Sequence, residues 1–474
     1  MSLLTPPHIP SVEELNLEVL TLEEQLRQQK VVALRDYYDG AQGAQVTERL
    51  REFMPSLAKG FEFKINVVST IIQAITEHLN VKAWDSKNAT LSDWAEDVWE
   101  ANEMEAKQDD VHENVLVDGE YFVLVSWSEE KGMAEWTPTR AYTSPEVGGD
   151  GYGCRMVYTQ NDVNQPALYA IKRWSETDAR GHIVEYKTVY YADRIEKYFR
   201  DGTLEWLRRP SPDGEWPTPW VDENGEPLGI PVIHFTNKSE ESEIEDVLAI
   251  QDAVNKSAID TLISSDLTAF RIYIALGWIP TTDGQPPKED GSNWASIEPG
   301  KLYGTTRNKS EADFKAIEPP EETVNGLSTL TQQFIIWGAL TTGTPVNRVI
   351  TTKLIASDET LKQQEKPLEN KVALRRALFG SKWKSCMNLS RKLHNLYSDE
   401  GELDLEEKIK PVWGSRIHTD REELNALESK QRLGIPQEQL WLEMGYSQAK
   451  VAQFAQSKAD KLKQEQEIAD ANTE

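Results

Sequence analysis

The chain has 474 residues, of which 27% are charged and 39% hydrophobic, with a formal net charge of −28. That length predicts about two to four structural units and enough chain to bury a sizeable core. The acidity excludes a surface that grips nucleic acid all over through its phosphates, because such a surface is basic.

Two cysteines, Cys154 and Cys386, stand far apart and in no metal-ligand spacing, which predicts a reducing compartment and no disulfide framework. The opening MSLLTPPHIPSVEEL has no basic region followed by an apolar run, so it does not read as a signal peptide. The most apolar stretches, 262–279 and 327–340, carry Asp266, Arg271, Gln332 and Gln333, which argues against membrane spans.

In chain order, Leu15, Val19, Leu22 and Leu26 recur at steps of three or four and predict a helix over 12–38, ended by Asp39-Gly40. Asn66 is placed to cap a second helix over 66–79. Ser92 is read as the cap of a third, running to Val117, where Asp118-Gly119 stops it and YFVLVSW begins a strand. From 121 to 235, β-prone runs (MAEWTP, CRMVYTQ, ALYAIKRW, IVEYKTVYYAD, RIEKYF) alternate with turn signals and predict an antiparallel meander. Residues 229–235, GIPVIHF, read as one more strand. Ser239 or Ser242 is read as the cap of a long helix to 270, with acids in its first turn. Residues 271–320 predict a small mixed unit with strand-like RIYIALGW and KLYGTT. A helix follows over 321–340, then a loop, TTGTPVNRVITT, then the longest helix, 357–397, kinked or broken at Pro367. Beyond the acidic turn SDEGELDLEEK the tail is expected to be helical over 420–433, 436–444 and 447–468.

Enzyme signatures are missing. Gly300-Lys301-Leu302 lacks the glycine spacing and the Ser/Thr of a P-loop. His112-Glu113 has no second histidine at the metalloprotease step, and there is no GxSxG. His78 and His234 read as satisfied structural histidines. Gly149-Asp150-Gly151-Tyr152-Gly153 reads as a hairpin loop, because it does not open a helix after a buried strand. Acid pairs such as Asp109-Asp110 are expected by chance in so acidic a chain.

Four strings, in this order, resemble the siphovirus-type portal (head-to-tail connector) proteins of tailed bacteriophages, and the resemblance covers nearly the whole chain. The first runs from Asn66 through Trp94, Trp99 and Asn102 to Asp118-Gly119-Glu120-Tyr121. The second is the meander ending VYYADRIEKYFRDGTLEW. The third is Gly229–Phe235 with Ser242, Glu245-Asp246-Val247 and Gln251-Asp252-Ala253-Val254-Asn255. The fourth is Ala356-Ser357-Asp358-Glu359-Thr360-Leu361-Lys362, where Asp358 stands in place of the family's usual glycine.

The resemblance implies an α+β portal fold: a mixed α/β wing (1–238), two stem helices (239–270 and 321–340), a small α/β clip (271–320), a tunnel loop (341–357), a long kinked wing helix (358–400) and an all-α crown with the C-terminal tail (401–474). It implies a non-enzymatic ring of about twelve subunits at one capsid vertex of the virion, assembled in the bacterial cytoplasm, without a cofactor or metal. Its partners would be further copies of itself, double-stranded DNA in the channel, the large terminase subunit, head–tail adaptor proteins, the major capsid protein and a scaffolding protein, with no membrane. In the tunnel loop, Asn347, Arg348 and Lys353 are the expected polar contacts to DNA, with Val346, Val349 and Ile350 as apolar ones. Without the resemblance the same residues read as a surface loop with one exposed arginine. The basic run from Lys353 to Lys392 is expected to pair with acids across subunits. Two alternatives remain: a head–tail adaptor or minor head protein without a channel, and a carboxylate-based metal nuclease.

Overall fold

A computed structural model describes residues 22–42, 65–143, 153–159, 165–177, 181–202, 205–211, 214–269, 272–279, 281–282, 285–294, 308, 310–317, 321–350, 358–414, 428–443, 451–459 and 461. The fold is α+β, as expected. Chain contacts divide it into a larger unit (1–42, 66–248, 339–474) and a smaller one (43–65, 249–338).

The larger unit begins with α1 (Leu22–Tyr38); residues 12–21 of the expected helix lie outside the described residues. Helix α2 (Val67–Thr76) starts where its cap predicts, with Asn66 Oδ1 accepting the Ser69 amide at 3.2 Å. Asn66 Nδ2 also donates to the Tyr38 carbonyl at 2.7 Å, which joins the end of α1 to the start of α2.

The third expected helix is two helices, α3 (Ala89–Ala101) and α4 (Met104–Asp118), with the strand β1 (Asn80–Ser86) before them. The cap is Asn88, which accepts the Thr90 amide at 3.0 Å; Ser92 is buried inside α3, its Oγ accepting the Ser86 amide. The break falls at Asn102-Glu103, where Glu103 takes φ +56°. Asn102 explains it: Nδ2 donates to the Val98 and Ala134 carbonyls, and Oδ1 accepts the Trp136 amide at 2.7 Å. A side chain that satisfies backbone groups on both sides competes with a continuous helix.

Gly119, at φ +88°, ends α4 in the left-handed region, where glycine carries no Cβ penalty. Strands β2 (Glu120–Ser128) and β3 (Met133–Arg140) form an antiparallel pair. The expected meander is present as β4 (Cys154–Tyr158), β5 (Ala167–Thr177), β6 (Ile183–Tyr190), β7 (Arg194–Asp201), β8 (Leu207–Arg208) and β9 (Thr218–Pro219), a six-stranded sheet in order β4-β5-β6-β7-β8 with β9 also on β7. Strand β10 (Val232–Thr236) returns to β2, giving the order β10-β2-β3. His234 on β10 is structural, as expected: Nε2 lies 3.0 Å from Glu120 Oε2 and Nδ1 2.7 Å from the Tyr158 hydroxyl. Glu120 also accepts from Arg27 of α1 at 2.6 Å. Burial raises the Glu120 carboxyl, but Arg27 and His234 outweigh that and hold it down at about 2.

Helix α8 (Asp358–Tyr397) runs through Pro367 without a break. Its fully buried Trp383 is the centre of an aromatic core, with ring centroids 5.2 Å from Trp99, 5.7 Å from Trp136 and 4.6 Å from Phe235. Trp383 Nε1 donates to His112 Nε2 at 2.9 Å, which leaves Nδ1–H of His112 for the Leu79 carbonyl at 3.0 Å. Core packing thus accounts for Trp84, Trp99, Trp136 and Trp383, while Trp294 and Trp337 are exposed. Strand β13 (Ile409–Gly414) pairs antiparallel with β1, in a tail expected to be helical. Residues 428–432, α9 (Gln437–Glu443) and residues 451–459 are helical, and the rest of the expected tail helices lies outside the described residues. Both cysteines are free and buried.

In the smaller unit, α5 (Leu248–Ala269) leads to β11 (Ile272–Leu276), which pairs antiparallel with β12 (Asp313–Ile317) ahead of α6 (Glu321–Thr342). The expected strand-like KLYGTT lies outside the described residues. Ser257 and Thr331 share a 2.8 Å hydroxyl contact that ties α5 to α6. Asn255 Oδ1 accepts the Ile65 amide, and Gln251 donates to its carbonyl. The long helix starts later than expected: a 3₁₀ turn with Ser239 at φ +58° and another over Glu245–Val247 precede it. Ser242 Oγ donates instead to the Val117 carbonyl at 2.5 Å. No helix among the described residues is long and apolar enough to cross a membrane.

Candidate functional site

The expected DNA-contacting residues follow α6. The helix ends at Thr342, and Gly343 turns the chain at φ +68°. The Thr344 amide then donates back to the Ala339 carbonyl at 2.8 Å, and the buried Thr342 and Thr344 hydroxyls meet at 3.0 Å. Pro345, with its fixed φ, leads into α7 (Val346–Val349), a single helical turn where a loop was expected. The Ile350 amide donates to the Val346 carbonyl at 2.9 Å and closes the turn.

Five of the six expected residues are therefore brought together on one turn. Asn347 is exposed; Val346, Arg348, Val349 and Ile350 are half-buried. Lys353 lies outside the described residues. Arg348 is committed: its Nη1 donates to Glu77 Oε2 at 2.6 Å, at the C-terminal end of α2. Nothing in the sequence pointed to Glu77, which lies 271 positions away.

The neighbouring backbone is held by α8. Arg376 donates through Nε and Nη2 to the His78 carbonyl at 3.0 and 2.7 Å, and through Nη2 to the Gly414 carbonyl at 3.0 Å. Burial, with help from the Arg348 and Arg376 charges, lowers the His78 imidazole below its ordinary range, so it is neutral at pH 7. Lys371 Nζ donates to the Thr342 carbonyl at 2.6 Å and to Glu243 Oε2 at 2.9 Å. A cation on the last carbonyls of a 22-residue helix also meets the negative end of its dipole. Farther along, Arg391 Nη1 donates to the Asp404 and Glu407 carbonyls, and Lys392 to that of Leu228. Lys371, Arg376, Arg391 and Lys392 of α8 thus find these partners within their own chain. Among the described residues, no group of three or more His, Cys, Asp or Glu side chains is placed to hold a metal ion.

The architecture defines an α+β protein whose longest helix packs on β2, β3, β10 and β13, with a helix–strand pair–helix unit inserted before that helix. Residues 29–470 match the family profile "Phage portal protein, SPP1 Gp6-like". The chain belongs to this family of portal proteins, whose members are structural and not enzymatic. Among solved structures, the neck of an empty gene transfer agent particle computed with C6 symmetry matches with a TM-score of 0.41 and 11% identity, covering 82% of this chain and 90% of that one. The neck of the native particle computed with C12 symmetry gives 0.41 and 10%, covering 85% and 96%. The virion of the native particle gives 0.36 and 11%, covering 88% and 94%. Likenesses this low leave the family assignment on the sequence match. No curated protein matches the chain.

Proposed function

We propose that this chain is one subunit of a ring, closed by twelve copies, that sits at a single capsid vertex and conducts double-stranded DNA into the capsid during packaging and out of it during ejection. Family membership over residues 29–470 carries the reading. The formal charge of −28 agrees with it. DNA carries one charge per ~1.7 Å of axis, so an acidic wall repels phosphates and keeps the barrier to sliding low.

In this reading the two stem segments are 239–270 and 321–340, which carry α5 and α6. The clip, 271–320, meets the large terminase subunit during packaging and the head–tail adaptors afterwards. The wing holds the N-terminal 238 residues and the long helix, where the capsid or scaffolding protein would dock. The crown and C-terminal tail take residues 401–474, whose strand β13 pairs with β1. The ring assembles in the host cytoplasm and remains in the virion.

Segment 341–357 lines the channel. Arg348 reaches phosphate, Asn347 and Lys353 add polar contacts, and Val346, Val349 and Ile350 give an apolar surface. Arg348→Glu tests this. Ring formation, seen by negative-stain microscopy with mass photometry, stays intact, while packaged genome length or DNA retention falls. Normal packaging and retention in that variant would remove Arg348 from the channel mechanism. Closed particles without an axial hole in the unmodified protein would overturn the ring.

A further inference from the structure

An arginine left free at each subunit of a DNA-conducting ring would hold on to passing phosphates. Arg348 is not left free. Its guanidinium is on the Glu77 carboxylate at 2.6 Å, and the two side chains are 21% and 46% exposed. An ion pair this accessible to water contributes only about 0.2–1 kcal/mol. Its carboxylate side is the more open one, the side from which another anion can approach. A carboxylate and a phosphodiester offer the guanidinium fork the same feature, two oxygens on one centre. Neighbouring His78, neutral at pH 7, does not compete as a second cation. Its carbonyl is fixed by Arg376, so the end of α2 that carries Glu77 is held in place.

We propose that Glu77 is an intramolecular substitute for phosphate. It holds Arg348 until a phosphodiester of the passing duplex displaces it, and it recaptures Arg348 when that phosphate moves on. Competition of this kind keeps each contact short-lived without removing the cation. The proposal rests on the reading of segment 341–357 as DNA-facing, and its test separates the two.

The test uses the full-length protein and a short fluorescent DNA duplex, with binding read by anisotropy over a salt series and thermal unfolding measured in parallel. The four proteins are the unmodified chain, Glu77→Gln, Arg348→Gln and the double variant. Glu77→Gln should bind roughly 1.4- to five-fold more tightly, the competitor being worth about 0.2–1 kcal/mol. Arg348→Gln should bind more weakly, with a salt slope shallower by about 0.9 per lost contact. The gain from Glu77→Gln should vanish in the double variant. If the gain persists there, it is a general effect of removing one negative charge, and the proposal is overturned. If Glu77→Gln weakens binding as Arg348→Gln does, the pair is only an anchor, which also overturns it. If Arg348→Gln binds like the unmodified chain, the DNA-facing reading itself falls, and this proposal with it. Should Glu77→Gln unfold, Glu77→Asp keeps the charge, shortens the reach and should give a gain of the same sign.

Discussion

Arg375 and Glu243 lie 132 residues apart in sequence and are buried against one another, with Nε of the arginine donating to Oε1 of the glutamate at 2.7 Å and Nη2 to the same oxygen. Both side chains are 6% exposed, and Lys371 completes the group from one helical turn earlier on α8. Burial raises the Glu243 carboxyl, but Lys371 and Arg375 outweigh it, and the net shift is downward. Two cations therefore share one carboxylate, and the C-terminal carbonyl of α6 supplies part of the balance through Lys371.

Removing the carboxylate is expected to be costly because it leaves Arg375 buried without its partner. Glu243→Gln should lower unfolding stability by on the order of 3–5 kcal/mol at pH 7. The measurement is chemical denaturation of both proteins. A loss within the range of an exposed ion pair would show that the group is not held as described.

Lys187 sets a pH dependence. It is fully buried in the six-stranded sheet, 4.6 Å from the Trp206 ring centroid and 5.3 Å from that of Tyr198. Burial, and then the charge of Arg173, push its ammonium down to about 7 from 10.5. Between those values the unfolded chain binds more protons than the folded one. Its contribution to stability therefore increases as pH rises above about 7, by up to about 1.4 kcal/mol per pH unit. Lys187→Met should remove that increment, so the change in unfolding free energy from pH 6.5 to pH 9 becomes smaller than in the unmodified chain. The same pH response in both proteins would refute the assignment.

Gly119 and Gly132 form a matched pair. Both have positive φ, +88° and +62°. A Cβ on Gly119 would lie 2.5 Å from the Glu240 carbonyl oxygen, whereas one on Gly132 would meet nothing within 4 Å. Gly132→Ala should cost only the backbone penalty, about 1–2 kcal/mol. Gly119→Ala should cost clearly more, because the clash is with main chain that cannot rotate away. Equal costs in thermal unfolding would mean that the chain near Glu240 yields.

Much of this fold was legible because it is local. Asn66 caps α2, Asp118-Gly119 turns a helix into a strand, and the meander alternates strands with turns over a few residues each. What was not legible depends on distant partners. Strand β1 is a short run, NVKAWDS, and β13 is IKPVWG with a proline inside it; neither looks like a strand until Asn80–Ser86 meets Ile409–Gly414. The break between α3 and α4 comes from Asn102 bonding to β3, information that a helical pattern does not contain. At the candidate site, the sequence singled out Arg348 but not Glu77, since a carboxylate at a helix end has no signature until its partner is known. Glu243 read as one more acid in a helix's first turn, and only the fold shows it facing α8.

The position of Lys371 has a further consequence. One ammonium group touches Glu243, where the chain is about to leave the larger unit, and the Thr342 carbonyl, where it has just come back. The same Nζ therefore holds a side chain from shortly before residues 249–338 and a carbonyl from shortly after them. A segment whose flanks are cross-linked outside it can change in length at little cost in closure entropy. A change in the length of residues 249–338 is therefore expected to leave the Lys371 contacts, and the core around Trp383, as they are.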